Sequence, residues 1–507
     1  MQEVVKDEMV KFIKKTGVKP KIGLYSVGLH AYWEQFPSLY QRLYGYGEFI
    51  FKKMQESADV SYYGVIDSVE KGKDAGEYFN KENVDLIFVH AATYATSSYI
   101  LPIHQRCTAK VVILNLQPTD QVNYEKTNTE EWLAHCNACP VPEFCNALNR
   151  SGIEYEVING LLGMEKSPDI SLTNEITYKH PAAIQAWKEI DEWIQAVKVK
   201  QCLADAKFGF LGNTYNGMLD MYSDFTMLQA QTGIQVEVIE MCDLADLVEV
   251  VTAEEIEKVK TVAANIFDIS ESSPSERLAK KPTQEEFNWA CKIAIAQKKL
   301  VEDFELDALT YYYHGTNNSQ YEQIQSGLIL GNSLLTANHV PIAGEGDLKT
   351  NIAMKICDLM EIGGSFCEIV TADYLDDTII FGHDGPFHLE ISDEKPVLRG
   401  MGLYHGKKGS GISVEAKVKK GPVTLLGLTQ TNEGKLKFII AEGESTNGET
   451  MRIGNTQTPV KFNLSIDDFY SKLFKEAPTH HCAMSIGHNK NTLQKVGNLM
   501  NIDTVVI

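Results

Sequence analysis

The chain has 507 residues, too many for one ordinary core, and its 44% hydrophobic and 23% charged content is that of a globular protein with two or three domains. A formal charge of −21 argues against a nucleic-acid partner, because phosphate recognition needs clustered Lys and Arg. No apolar run approaches the roughly 20 residues that cross a bilayer. Residues 1–17 mix Lys and Glu with apolar residues at helical spacing and contain no leader-like apolar core. With ten scattered cysteines, this composition points to a soluble protein in a reduced cytoplasmic setting.

The first 180 residues alternate strand-like and helix-like segments. Residues 21–27 form a short apolar run ending at Gly28, and a helical stretch follows at 39–56. Residues 60–64, 86–90, 111–114 and 155–159 read as further buried strands. This alternation predicts a doubly wound parallel sheet, whose functional groups gather at the carboxyl ends of the strands. A polar helix at 184–200 closes this region. A strand at 208–211, a glycine loop at 212–217 and a strand at 236–240 open a second α/β unit. The glycine loop lacks the spacing of a nucleotide-binding fingerprint. Residues 253–305 read as helical, with a Ser/Pro-rich interruption at 270–275.

After about residue 360, short strands at 378–381, 412–418, 423–429 and 435–443 are separated by Gly, Asp and Asn. A helix at 466–474 and a strand at 504–507 follow. The predicted fold class is therefore α/β: two doubly wound α/β domains, at 1–200 and 201–362, followed by a mainly antiparallel β domain at 363–507.

Cys136, Cys139 and Cys145 form a C-x2-C-x5-C array beside His135. The second C-x2-C half of a zinc ribbon is absent nearby, so structural thiols are the preferred reading over a metal site.

The chemistry-bearing signals lie later in the chain. Gly344-Glu345-Gly346-Asp347 exposes a carboxylate on a tight turn before a helical pattern, although a simple helix cap explains Asp347 equally well. Glu368 follows Gly363-Gly364-Ser365-Phe366-Cys367, His383 ends an apolar strand, and His480-His481 follows Pro478-Thr479. Two glutamates and two histidines, each read as lying on a glycine- or proline-marked turn, make a donor set for a divalent ion. Carboxylate oxygen with imidazole suits manganese better than the thiolate sets of structural zinc.

These four segments resemble those of the L-arabinose isomerase family, within the wider L-fucose/L-arabinose isomerase group. Gly344 to Thr350 matches the family's Gly-Glu-Gly-Asp motif with its Lys-Thr, and Ser365 to Glu368 matches its Ser-Phe-x-Glu motif. The region of His383 matches its Gly-x-His strand end, and Thr479 to His481 its Thr/Ala-His-His motif. The resemblance covers nearly the whole chain. It implies a hexameric enzyme that uses Mn2+, with Co2+ or Mg2+ as other candidate ions. It makes Glu345, Glu368, His383 and His481 the metal ligands and places His480 beside the substrate. His388, in Phe387-His388-Leu389-Glu390, is the alternative to His383.

The implied reaction converts L-arabinose to L-ribulose by proton transfer between C1 and C2 through a metal-stabilised cis-enediol, with Glu345 and Glu368 as the acid–base pair. A hydride shift is the rival route. Family members carry Ser-Gln-His-Leu-Tyr-Gly after the first strand, whereas this chain has Gly28-Leu29-His30-Ala31-Tyr32-Trp33. Leu29 in place of Gln removes an amide that could bond a sugar hydroxyl, so another sugar, such as L-fucose, D-galactose or a modified hexose, stands as the alternative substrate. Leu29, His30, Tyr32, Tyr94 and Gln117 are the candidate sugar contacts, with simple packing the competing explanation for Tyr32 and Trp33. A non-catalytic sugar-binding protein is the reading from a different class.

Overall fold

A computed structural model describes residues 19–272, 276–313, 319–402, 410–446 and 448–507. The expected N-terminal helical segment and residues 273–275 of the Ser/Pro-rich interruption lie outside these. The chain divides into two compact units, Gly17–Lys198 and Val199–Ile507.

In the first unit, β1 (Lys21–Val27), β2 (Asp59–Ile66), β3 (Leu86–Ala91), β4 (Lys110–Gln117) and β5 (Tyr155–Leu161) form a parallel sheet in the order β2-β1-β3-β4-β5. All six residues of β3 are buried, as are six of the seven in β1. That continuous apolar character is what a strand covered by helices on both faces requires. Helices Leu39–Met54, Val69–Glu82 and Val141–Arg150 are among those supplying the cover, each with a buried apolar stripe.

The second unit contains a smaller parallel sheet and a barrel. β6 (Lys207–Gly212), β7 (Gln235–Ile239), β10 (Ala308–Tyr312) and β11 (Ile342–Ala343) pair in the order β11-β10-β6-β7. The stretch expected to be helical from 253 to 305 forms two helices, Ala253–Ile266 and Gln284–Asp303, each opened by a Thr capping box. Between them lie two short strands, β8 (Asp268–Ile269) and β9 (Ala279–Lys280). Both pair with β14 (Val397–Gly402), which also pairs with β15 (Ser410–Glu415), so segments on either side of residue 362 share one sheet.

The remaining strands are β12 (Gly363–Asp373), β13 (Thr378–Gly382), β16 (Gly421–Gln430), β17 (Leu436–Ser445), β18 (Thr458–Phe462), β19 (His481–Ile486) and β20 (Asp503–Val506). Six of them follow the order β16-β19-β12-β13-β18-β17, and an added β16–β17 pairing closes the ring into an antiparallel barrel. β20 joins β17 in parallel. Closure leaves none of the six with an unpaired edge. Helix Leu348–Leu359 contacts β12 and β19, and every residue from Leu348 to Asp358 is buried. Its N-terminus follows directly from the Glu345 turn. Among the described residues, no helix is long and apolar enough to cross a membrane.

Candidate active site

Glu345 follows β11, at the carboxyl end of the parallel sheet, and its backbone is left-handed at φ +61°. A non-glycine residue there carries a conformational cost of about 1–3 kcal/mol, and such strain concentrates at functional sites. The turn is pinned on both sides. Tyr215 N donates to Glu345 O (2.9 Å) and Gly346 N donates to Tyr311 O (2.9 Å). Gly346 has φ +72°, and a Cβ there would fall 2.4 Å from the Asn213 carbonyl oxygen, so the close approach demands glycine.

Asp347 caps the buried helix, accepting from Thr350 N (3.0 Å) and Thr350 Oγ1 (2.7 Å). Its Oδ2 also lies 3.0 Å from His481 Nδ1. The residue therefore ends a helix and orients an imidazole together. Bonding with His481, and the nearby Lys349 and helix N–H groups, outweigh burial and hold its carboxyl below the usual range.

Register carries the other donors inward. In the antiparallel ladders Glu368 pairs with His481 on β19 and with Gly382 on β13, one residue before His383. Glu368 and His481 thus sit on strands, whereas the sequence suggests turns for all four donors. Glu345 Oε1 is 3.8 Å from His383 Nε2, and Glu345 Oε2 is 3.8 Å from His481 Nε2. One donor atom from each of Glu345, His383 and His481 lies within 4.8 Å of the others, and the same is true of Glu368, His480 and His481. His481 belongs to both groups, and the four expected ligands and His480 are divided between them.

Phe366 packs against both rings, with centroids 4.3 Å from His481 and 4.8 Å from His383. Burial pushes the Glu345 carboxyl up, against the pull of His383. For His383, burial opposes the charge, but Asp384 (Oδ1 3.1 Å from Nδ1), Glu345 and Glu368 prevail and raise it to about 9. Burial dominates at His481 and lowers it to about 4 despite Asp347. His388 lies elsewhere: its N–H donates to Ser365 Oγ (3.3 Å), its charged neighbours include Asp358 and His339, and it is in neither donor group.

The donor set fits a small divalent ion on an observation independent of the motifs. Glu345 Oε2 and His481 Nε2 are buried, face each other at 3.8 Å, and have no hydrogen-bond partner. Buried polar atoms are rarely left so. Glu345 and His481 would hold such an ion with a carboxylate oxygen and an imidazole nitrogen, donors suited to a divalent cation.

His480 is held from outside the set. Asp220 Oδ2 accepts from His480 N (3.0 Å) and lies 2.6 Å from its Nδ1. Asp220 sits in the short 3-10 turn Leu219–Met221 after the glycine loop, 260 positions earlier in the chain, and no sequence motif points to it. Asp384 is likewise apparent only from geometry. A cleft of about 140 Å³ borders Tyr215, Tyr311, Glu345, His383 and Asp384. A cavity of about 550 Å³ runs from Glu368, His480 and His481 along Phe381, Leu425 and Phe469.

The candidate sugar contacts belong to the first unit. Leu29, His30 and Tyr32 follow β1, Tyr94 follows β3, and Gln117 ends β4, where its Nε2 donates to Thr119 O (2.8 Å). Tyr32 is half-buried, with Tyr94, Cys136 and Cys139 as electrostatic neighbours. His30 is largely exposed, with Nδ1 3.8 Å from Asp67 Oδ2. Trp33 holds the loop in place. Its Nε1 donates to Asp67 (2.9 Å), and its ring closes over Gly28, where a Cβ would fall 2.6 Å away. Ser26 Oγ and His90 Nδ1 are 2.9 Å apart beneath this loop, and burial drives His90 down to about 3.

A third donor group, Glu131, His135 and Glu175, also lies in the first unit. Here the cation is Arg42, whose guanidinium bonds Glu131 (2.5 Å) and Glu175. Cys136 is buried, Cys139 exposed and Cys145 intermediate, none of the three is in a disulfide, and no metal-type donor group among the described residues includes a cysteine.

No curated protein matches the chain. Among solved structures, a GDP-6-OMe-4-keto-L-xylo-heptose reductase from C. jejuni is aligned at 11% identity over 59% of this chain and 88% of its own, with a TM-score of 0.19, too slight a likeness to carry an argument. Residues 390–507 match the family model described as the L-fucose isomerase C-terminal domain.

Proposed function

We propose that the chain is a metal-dependent aldose–ketose isomerase, with L-arabinose to L-ribulose as the first candidate reaction and L-fucose, D-galactose or a modified hexose as alternative substrates. The observations that support this reading are that Glu345, His383 and His481 offer donor atoms close to one another, as do Glu368, His480 and His481, and that two of these buried atoms have no partner within the protein. A pure sugar binder has no need of such a set. The C-terminal family match supports the same class of reaction.

Glu345, Glu368, His383 and His481 would hold the ion, Mn2+ first and Co2+ or Mg2+ as alternatives. When bound, such an ion polarises the sugar carbonyl and offsets negative charge on O1 and O2. The protein's own groups move the proton. One of the two carboxylates takes it from C2 and the other delivers one at C1, while the O2 hydroxyl proton passes to O1, by way of a cis-enediol. Glu345, on its left-handed turn, is the proposed acceptor. His480, held by Asp220, is proposed to bond a sugar oxygen. Leu29, His30, Tyr32, Tyr94 and Gln117 are proposed sugar contacts within the first unit, and a cytoplasmic homo-hexamer is the proposed assembly.

Metal analysis of the purified protein, followed by ketose assays over pentoses and hexoses with added manganese, tests the reading. Ketose from at least one sugar is the expected result. Failure on every sugar with metal bound would sink it in favour of a binding protein.

A further inference from the structure

Cys367 and Cys482 face each other one position along β12 and β19 from Glu368 and His481, in the same register. Their Sγ atoms are 3.6 Å apart, and Cys367 Sγ also lies 3.5 Å from the Cys482 carbonyl oxygen. Directly opposed residues of antiparallel strands hold their Cα atoms about 4.5–5.5 Å apart. That is within the span of Cα separations that disulfides join. The two thiols also differ in access. Cys367 is 4% exposed and packs in the barrel core with Phe381 and Met484, while Cys482 is half-buried and lines the cavity of about 550 Å³ that reaches Glu368 and His480.

We propose that Cys367 and Cys482 are an oxidation site, joined as a disulfide by a small-molecule disulfide oxidant that enters through this cavity. The Cys482 thiolate attacks one sulfur of the oxidant and releases one small thiol, leaving a mixed disulfide. The Cys367 thiolate then attacks Cys482 Sγ and displaces the second small thiol. The two protein thiols are oxidised, the oxidant is reduced to two thiols, and the two protein protons end on those leaving groups. Drawing the sulfurs from 3.6 Å to a bond of about 2 Å shifts the strand pair that carries Glu368 and His481. The effect on turnover rests on the isomerase reading; the cross-link itself does not.

The test treats the full-length protein with oxidised glutathione, alkylates the remaining thiols and maps the peptides by mass spectrometry before and after dithiothreitol. A reducible Cys367–Cys482 peptide pair is expected. Alkylated Cys367 and Cys482, or pairing confined to other cysteines such as Cys136 with Cys139, would overturn the proposal. Where the reduced protein turns over a sugar, oxidation should lower the rate by about tenfold or more, because misplacement by an ångström is that costly, and reductant should restore it. The fall should vanish in Cys367→Ala and in Cys482→Ala, two variants that check each other if one fails to fold. A cross-link that leaves turnover unchanged would overturn the coupling. A protein that cross-links but turns over no sugar would instead count against the isomerase reading alone.

Discussion

The Asp347 carboxylate stands 3.0 Å from Nδ1 of His481, and both side chains are fully buried. The contact settles which ring nitrogen of His481 is left for a ligand: Nε2, which faces Glu345. A carboxylate behind a metal-binding histidine fixes its tautomer and raises its basicity, and losing it commonly costs about 10–100-fold in metal affinity. Asp347→Asn should therefore weaken Mn2+ binding by about that factor in a calorimetric titration, with the helix cap kept because Asn also caps. Unchanged affinity would remove His481 from the ligand set.

Glu345→Gln keeps the shape of the turn and removes the proton acceptor. Ketose formation should fall by about 10²–10⁴-fold, the usual contribution of a positioned acid or base. Wild-type turnover in this variant would discard Glu345 as a catalytic group.

Gly346→Ala tests the turn itself. The new Cβ would meet the Asn213 carbonyl at 2.4 Å and Thr214 Cα at 2.6 Å, on a backbone with φ +72°. A loss of about 1–3 kcal/mol in urea unfolding is expected from the strained backbone alone, together with a drop in turnover as Glu345 is displaced. A variant of native stability and activity would show that the approach is not tight.

Arg42 neutralises Glu131 and Glu175 in the first unit, where all three side chains are at most 3% exposed. For Glu131, burial works against ionisation, but the Arg42 bond wins and lowers it to about 2, and Glu175 is lowered too. A depressed carboxyl stabilises the fold above its ordinary value of about 4.3 and loses that contribution as pH falls toward 2. Arg42→Met would leave two buried carboxylates with only His135 beside them, at a cost of about 3–5 kcal/mol near neutrality. Unfolding curves from pH 7 to 3 should show the wild type weakening in acid while the gap to the variant narrows. Parallel curves would contradict the assignment.

Much of this architecture is legible in the sequence because its signals are local. β1 coincides with the apolar run at 21–27, and helix Ile466–Lys475 extends the expected 466–474 by one residue. The parallel sheets follow from strand–helix alternation, and the C-terminal strands from turn residues spaced along the chain. What stays hidden depends on register. Nothing local shows that Glu368 and His481 stand side by side on strands, since that depends on the β12–β19 pairing. Asp220 is silent for the same reason, its partner being 260 residues away. The interruption at 270–275 widens because β8 and β9 find a partner in β14, a pairing that propensity alone does not reveal.

The barrel has one more implication, for the order in which the protein gains its chemistry. Cys367 and Cys482 touch across neighbouring strands although 115 positions separate them in the chain. Pairing over such a distance is slow, because a long loop must be closed before any contact rewards it. Ion binding should therefore appear as a late event in refolding, after the local helices have formed. An ion that recognises only the finished ring would pull the folding equilibrium toward it by mass action.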